Sequence, residues 1–217
     1  MLEYAGKMGS TEWDKYWSNK KKKYLFSLFR KHVFARAVRY YTNRYFPKKG
    51  TFVEAGCGSG DTSILINKYK RKIIAMDFSE EALKSAKKNK KFDEFIQADI
   101  AKLPFKNDSI DGIWNLGVME HFEKDEITKI INESYKKLKK DRCLIMFWAT
   151  KITPYQICLD TYNRVFKQNF QLFPDEHNRL KSKKHAKNIM SKSNFINYKV
   201  FFSWRDLFTD IVIVAKK

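Results

Sequence analysis

The stretch TFVEAGCGSGDTS, residues 51–63, decides how this chain folds. Thr51–Ala55 has the apolar and β-branched content of a short buried strand, and the spacing predicts a helix over Thr62–Tyr69. Between them stand three glycines, Gly56, Gly58 and Gly60. A glycine-rich turn between a parallel strand and a helix brings main-chain N–H groups and a helix N-terminus to a ligand with no Cβ in the way. The stretch therefore predicts an α/β domain with a ligand loop near its first strand.

Outward from the loop, strand and helix patterns alternate. KIIAMD (72–77) is a second strand, and SEEALKSAKKNKK (79–91) a second helix with Ser79 as N-cap and Glu80 and Glu81 complementing its dipole. EFIQAD (94–99), SIDGIWNLG (109–117) and CLIMFWAT (143–150) are further strands, and apolar residues from Ile127 to Leu138 mark the helix between the last two. These strands are near-continuous apolar runs, as strands covered on both faces must be. The expected fold is a doubly wound, mostly parallel sheet. Two terminal strands, YKVFFSW and LFTDIVIVAKK, follow a helix in SKKHAKNIMSKSNF and bring the count to seven. Residues 13–46 predict a helical stretch, with Phe26, Phe29, Val33, Ala37 and Tyr40 at spacings of three or four and Arg30, Arg36 and Arg39 between them. The domain plan is one unit over 1–217: an N-terminal helical segment (1–49), a ligand-binding core (50–150), an aromatic, amide-rich insert (151–181) and a C-terminal helix with two strands (182–217).

Composition bounds the class. The 217 residues are 43% apolar and 16% aromatic, enough to bury a core. Against 24 acidic residues stand 44 Lys and Arg, a net charge of +20 that attracts RNA, anionic lipid or acidic metabolites, although lysine runs such as those at 20–23 and 136–140 equally suit solvated helix faces. Cys57, Cys143 and Cys158 are far apart, odd in number and lack zinc spacing, so a reducing, cytoplasmic location with no metal centre is expected. No transmembrane run and no signal-peptide plan is evident.

Charge narrows the ligand. A triphosphate loop needs Lys then Ser or Thr after its last glycine, whereas Gly60 is followed by Asp61, which repels phosphate. A dinucleotide fingerprint spaces glycines G-x-G-x-x-G; here they run G-x-G-x-G after Glu54. An acid is unfavourable beside a pyrophosphate and favourable beside an ammonium and a sulfonium, which points to S-adenosylmethionine.

Over residues 50–150 the ordered motifs VEAGCGSG, AMDFS, QADIAKLPF and SIDGIWNLGVMEHF resemble those of class I S-adenosylmethionine-dependent methyltransferases, more narrowly the ubiquinone-biosynthesis-like small-molecule group. The resemblance implies the Rossmann-like methyltransferase fold, with S-adenosylhomocysteine as product. It implies that Gly56, Cys57, Gly58 and Gly60 line the methionine part of the cofactor with Glu54 near its amino group. Asp77 would bind both ribose hydroxyls, Phe78 would lie against the adenine, Asp99 and Ile100 would read the adenine edge, and Asn115, Leu116 and Gly117 would flank the reacting methyl.

Methyl transfer is an in-line displacement, so alignment and exclusion of water are the protein's main tasks. Where the acceptor arrives protonated, His121, with an ordinary pKa of about 6.5, is the expected general base and Glu120 the second choice; His121 packing over the cofactor is the alternative. Trp13, Tyr16 and Trp17 are expected either to fold over the site as a lid or to pack as an ordinary helix face. His177 and His185 read as surface residues. No Asn/Asp-Pro-Pro-aromatic motif and no Pro-Cys nucleophile of base-methylating enzymes is present, which favours a small-molecule acceptor. RNA methylation is the second expectation, from the charge and from Lys167, Arg179, Lys181, Lys183 and Lys184 among aromatic residues. A non-catalytic cofactor-binding module is the third.

Overall fold

Seven strands form one sheet in the order β3-β2-β1-β4-β5-β7-β6, in a computed structural model that describes residues 9–18, 27–151, 153, 161–165 and 178–217. The strands are β1 (Lys49–Ala55), β2 (Lys70–Asp77), β3 (Glu94–Gln97), β4 (Ile110–Leu116), β5 (Leu138–Ala149), β6 (Asn197–Phe202) and β7 (Asp210–Lys216). β3, β2, β1, β4 and β5 are mutually parallel, and β7 runs antiparallel to both β5 and β6.

The register follows from burial on both faces. Ile74, Met76, Ile113, Leu144, Met146, Ile211 and Ile213 join one core cluster; Ile73, Ala75, Trp114, Ile145, Phe147, Val212 and Val214 join the other. A period of two with apolar side chains on both sides requires a helical layer on each face. The described helices include α1 (Ser10–Ser18), α2 (Ala35–Tyr45), α3 (Glu80–Ala86), α4 (Lys124–Lys137) and α5 (Lys183–Met190). α2 and α3 supply Ala37, Val38, Tyr41, Leu83 and Ala86 to one core, and α4 and α5 supply Ile127, Ile130, Ile131, Ala186 and Met190 to the other.

Local chemistry sets the helix ends. Glu123 and Glu126 form a capping box at the start of α4, and Lys136 and Lys137 close it. The expected N-cap Ser79 accepts from the N–H of Ala82 at 3.1 Å. α2 stops at Phe46, which is extended (φ −98°, ψ 142°) as a residue before proline must be. The buried Arg71 covers that end, donating to the carbonyls of Thr42 (3.2 Å), Phe46 (3.0 Å) and Pro47 (2.8 Å).

Several expected elements differ. Thr62–Tyr69 is not a helix: only the 3₁₀ turn Asp61–Ser63 forms, because the hydroxyls of Thr62 and Ser63 turn inward to Glu54 and nine residues must return the chain from Gly60 to β2. The 79–91 helix stops at Ala86, where Asn89 folds back to donate to the Gly60 carbonyl at 2.7 Å. Leu138 is the first residue of β5 rather than the last of α4. The 182–195 helix ends at Met190. Of the 13–46 stretch, α1 and a helix from residue 27 to Tyr45 are described, the latter opening through a π-turn at Arg30–Phe34. Most of the insert, with Lys167, His177 and Cys158, and also Phe26, lies outside the described residues.

Candidate active site at the strand-end edge

Strand order reverses between β1 and β4, and in open α/β sheets the crevice above that point is where ligands bind. Here the crevice is an open cleft lined by residues at the ends of β1, β2, β3 and β4. Its floor is the glycine loop. Gly56 and Cys57 both donate to the Met76 carbonyl, at 2.8 and 3.0 Å, which turns the loop back across the end of β2. Gly56, Gly58 and Gly60 have φ of 80°, 53° and 72°, a region that side-chain-bearing residues rarely adopt. A Cβ on Gly56 would lie 2.5 Å from Val118, and one on Gly58 2.6 Å from the Trp17 ring.

Asp77 stands at the C-terminal end of β2 and lines the cleft. Its carboxylate accepts from the N–H of Gly58 at 2.7 Å and of Ser79 at 2.9 Å, so one position on each oxygen is fixed from below. Burial raises its pKa; the Ser79, Gly58 and Phe78 N–H groups and the charge of Arg30 oppose that rise. Asp99 follows β3, with one oxygen accepting from the Ala101 N–H at 2.8 Å. Phe78, Ile100, Leu116, Gly117, His121, Trp13 and Trp17 line the same cleft. Gly117 has φ 68° and donates to Phe147 at 3.1 Å, ending β4 in a turn that carries Val118 and His121 to the mouth.

Other expected residues are not brought to the cleft. Glu54 lies beneath the glycine loop, almost fully buried; Thr62 and Ser63 donate to its two oxygens at 2.8 and 2.6 Å. Burial pushes its carboxyl up to about 7 against those hydrogen bonds, the charge of Arg30 and the Trp114 indole. The acid that sequence alone placed beside a ligand ammonium is thus a strut of the loop, because its strand position directs it to the α2 side of the sheet, where the two hydroxyls meet it. Cys57 is also turned into that core, where burial holds its thiol well above the ordinary value. Gly60 closes the 3₁₀ turn by accepting from Ser63 at 3.2 Å. Asn115 is buried with its amide 3.7 Å from the Met119 sulfur, and Glu120 is buried beside Gly117. Tyr16 packs edge-on to Trp13 and Trp17, at 5.7 and 5.2 Å between centroids, without lining the cleft.

α1 crosses the mouth. Trp13 meets His121 edge-on at 4.9 Å, and Trp17 sits over Gly58 with the Arg30 guanidinium 5.2 Å from its ring centre. Asp14 fastens the helix: it accepts from the Ser79 hydroxyl at 2.5 Å and the Glu81 N–H at 3.3 Å, reaching the N-terminus of α3 beside Asp77. Arg30, Met76, Ala98, Val118 and Phe122 complete the lining and are not among the expected site residues. Nothing local separates Arg30 from Arg36 or Arg39; only the docking of its helix, aided by the Lys31–Asp61 pair at 3.5 Å, directs it inward. His185 accepts from the Lys181 N–H through Nδ1, and among the described residues no three His, Cys, Asp or Glu are grouped to hold a metal.

The seven-stranded sheet, mostly parallel with one antiparallel hairpin, is the Rossmann-like fold shared with solved methyltransferase structures. Residues 53–146 match the family described as "Methyltransferase domain". Two relatives from Mycobacterium tuberculosis strains, each described as a "Probable S-adenosylmethionine-dependent methyltransferase", are 31% identical over 101 residues, covering 46% of this chain and 36% of theirs. The chain thus spans about a third of the length of the curated relatives it matches. Among solved structures, a Thermotoga maritima protein described as a possible histamine N-methyltransferase superposes with a TM-score of 0.67 at 19% identity, over 94% of this chain and 98% of that one. The magnesium protoporphyrin IX methyltransferase of Synechocystis, with bound S-adenosylhomocysteine, gives 0.59 at 21% identity, over 84% and 82%. At these identities the likeness is one of fold.

Proposed function

We propose that the protein transfers the methyl group of S-adenosylmethionine to a small, partly apolar acceptor. The observation that carries the reading is the convergence of Gly56, Gly58, Asp77 and Asp99, from three different strand ends, on one cleft. The donor set fits the cofactor. Glycine backbone leaves room for its amino-acid end, Arg30 offers a positive charge for the carboxylate, the Asp77 oxygens can accept from the ribose hydroxyls, and Phe78, Ile100 and Asp99 suit an adenine with an exocyclic amine.

When bound, the cofactor supplies an electrophilic sulfonium methyl. The chain's own residues do the rest. Trp13 and Trp17 cover the cleft and exclude water, which strengthens the fixed charges inside. Leu116, Gly117, His121 and Phe122 form the wall left for an acceptor, and His121 is the residue placed to take a proton from it. The aromatic, largely apolar mouth favours a small acceptor over a phosphodiester chain, and two structural neighbours are described by small-molecule substrates.

The test is incubation of the protein with methyl-tritiated cofactor and, separately, a metabolite extract and total RNA. Label in the extract supports the reading; label in RNA alone overturns the acceptor, and none in either overturns the activity. His121→Ala should lower single-turnover transfer by about 10²-fold or more where it acts as base, and unchanged transfer would leave it a packing residue.

A further inference from the structure

At the top of β6 and β7 the usual distribution of polar and apolar side chains is inverted. In the turn SWRDLFT, residues 203–209, Ser203, Asp206 and Thr209 are buried, Asp206 completely, while Trp204, Leu207 and Phe208 are 64%, 54% and 49% exposed. Phe202 beside them is 41% exposed, with its ring 5.8 Å from that of Phe208. The hydrophobic effect acting on an isolated domain favours the opposite arrangement.

The backbone holds this inversion at a cost. Leu207 and Phe208 have φ of 59° and 60°, a left-handed conformation that bulky residues rarely adopt. Phe208 donates to the Ser203 carbonyl at 2.9 Å, and the Thr209 hydroxyl donates to the Asp206 carbonyl at 2.6 Å, so the turn is closed from inside. Arg205 is drawn back over the Tyr40 ring at 3.7 Å and flanks Trp204 at 4.5 Å. Strain kept at two adjacent residues calls for a functional reason. Ala149 pairs with Asp210 and Thr150 donates to the Thr209 carbonyl, so the turn projects from the same sheet edge as the cleft.

We propose that this tip docks the protein peripherally on an anionic lipid bilayer, with Phe202, Trp204, Leu207 and Phe208 entering the interface. Exposed Trp, Phe and Leu are the side chains that partition there, and a net charge of +20 complements an anionic surface. Among the described residues no helix is long and apolar enough to cross a membrane, so attachment would be at the surface. RNA fits the tip less well: Leu207 presents no face for a base, and Arg205, the one cation in the turn, is engaged with two aromatic rings.

The experiment is co-sedimentation of the full chain with vesicles of phosphatidylcholine and phosphatidylglycerol, two parts to one, against pure phosphatidylcholine. The comparison variant carries Trp204→Ser, Leu207→Asn and Phe208→Asn; asparagine tolerates positive φ, so its thermal midpoint should stay level or rise. Expected are preferential binding of the wild type to the anionic vesicles and at least about tenfold weaker binding of the variant. Equal binding by both proteins, no vesicle binding by the wild type, RNA binding lost in the variant without any vesicle binding, or a wild-type dimer that the variant dissociates would each overturn the proposal. The readout needs neither cofactor nor acceptor, so its failure leaves the proposed activity standing.

Discussion

Replacing Asp77 by Ala tests the cofactor cradle most directly. The carboxylate is held by the N–H groups of Gly58 and Ser79 at 2.7 and 2.9 Å, one on each oxygen, and each oxygen retains a position for one ribose hydroxyl. Hydrogen bonds to a charged group contribute about 1.5–3 kcal/mol each, so two set an upper range of about 3–6 kcal/mol. Water satisfies those positions in the free protein, and the lower end is the better guide: about 3 kcal/mol, or roughly 150-fold in Kd. Burial has already raised this carboxyl's pKa, and hydroxyls that donate to it favour the ionised form. Affinity should therefore fall on acidification in the wild type and lose that dependence in Asp77→Ala. Titration calorimetry with S-adenosylhomocysteine and with 5′-methylthioadenosine, which keeps the ribose but lacks the amino acid, measures both. A well-folded variant with Kd within about threefold of wild type would refute the reasoning. So would a loss confined to S-adenosylhomocysteine, which would move Asp77 to the amino-acid end.

Three further outcomes follow from the same geometry. Glu54, raised by burial from 4.5 to about 7, holds a proton that the unfolded chain releases, so its stabilising contribution is full below pH 4.5 and lost as pH rises through 7. Glu54→Gln should gain on the wild type by on the order of 3 kcal/mol across that range in urea unfolding, with Asp206, also near 7, cancelling in the difference; parallel pH profiles would rule this out. Arg71→Ala leaves the carbonyls of Thr42, Phe46 and Pro47 without their shared donor and should cost about 2–4 kcal/mol in chemical denaturation, which Arg71→Lys should not restore because an ammonium lacks the planar fork. Asp14→Ala unfastens α1 from Ser79 and Glu81, and stopped-flow release of S-adenosylhomocysteine should quicken by about fivefold or more with tryptophan fluorescence as the signal; an unchanged rate would mean that α1 does not gate the cleft.

Both the alternation of strand and helix and the glycine turn were legible because each rests on neighbours in sequence: a period of two, a cap three residues from its donor, a φ open only to glycine. That Asp77, Asp99 and His121 reach the cleft was legible as well, since Asp77 ends β2, Asp99 stands two residues past β3 and His121 five past β4, at strand ends that face the crevice. Thr62–Tyr69 does not form the helix its spacing predicts, because that spacing competes with two hydroxyls whose partner, Glu54, lies eight and nine residues back on another element. Glu54 itself shows the limit of charge reasoning, for the sign of a group says what it would attract and not which side of a sheet it faces.

By itself the amino-acid order determined a doubly wound sheet, the place of its ligand loop and the acids along one edge, because those properties arise from local backbone preference and the two-residue repeat of strands. Only the tertiary structure decided that Arg30 enters the cleft, that Asp14 fastens α1 across it and that the 203–209 turn faces its apolar side chains outward. Those choices are made by contacts between residues dozens of positions apart, and no short window of sequence carries them.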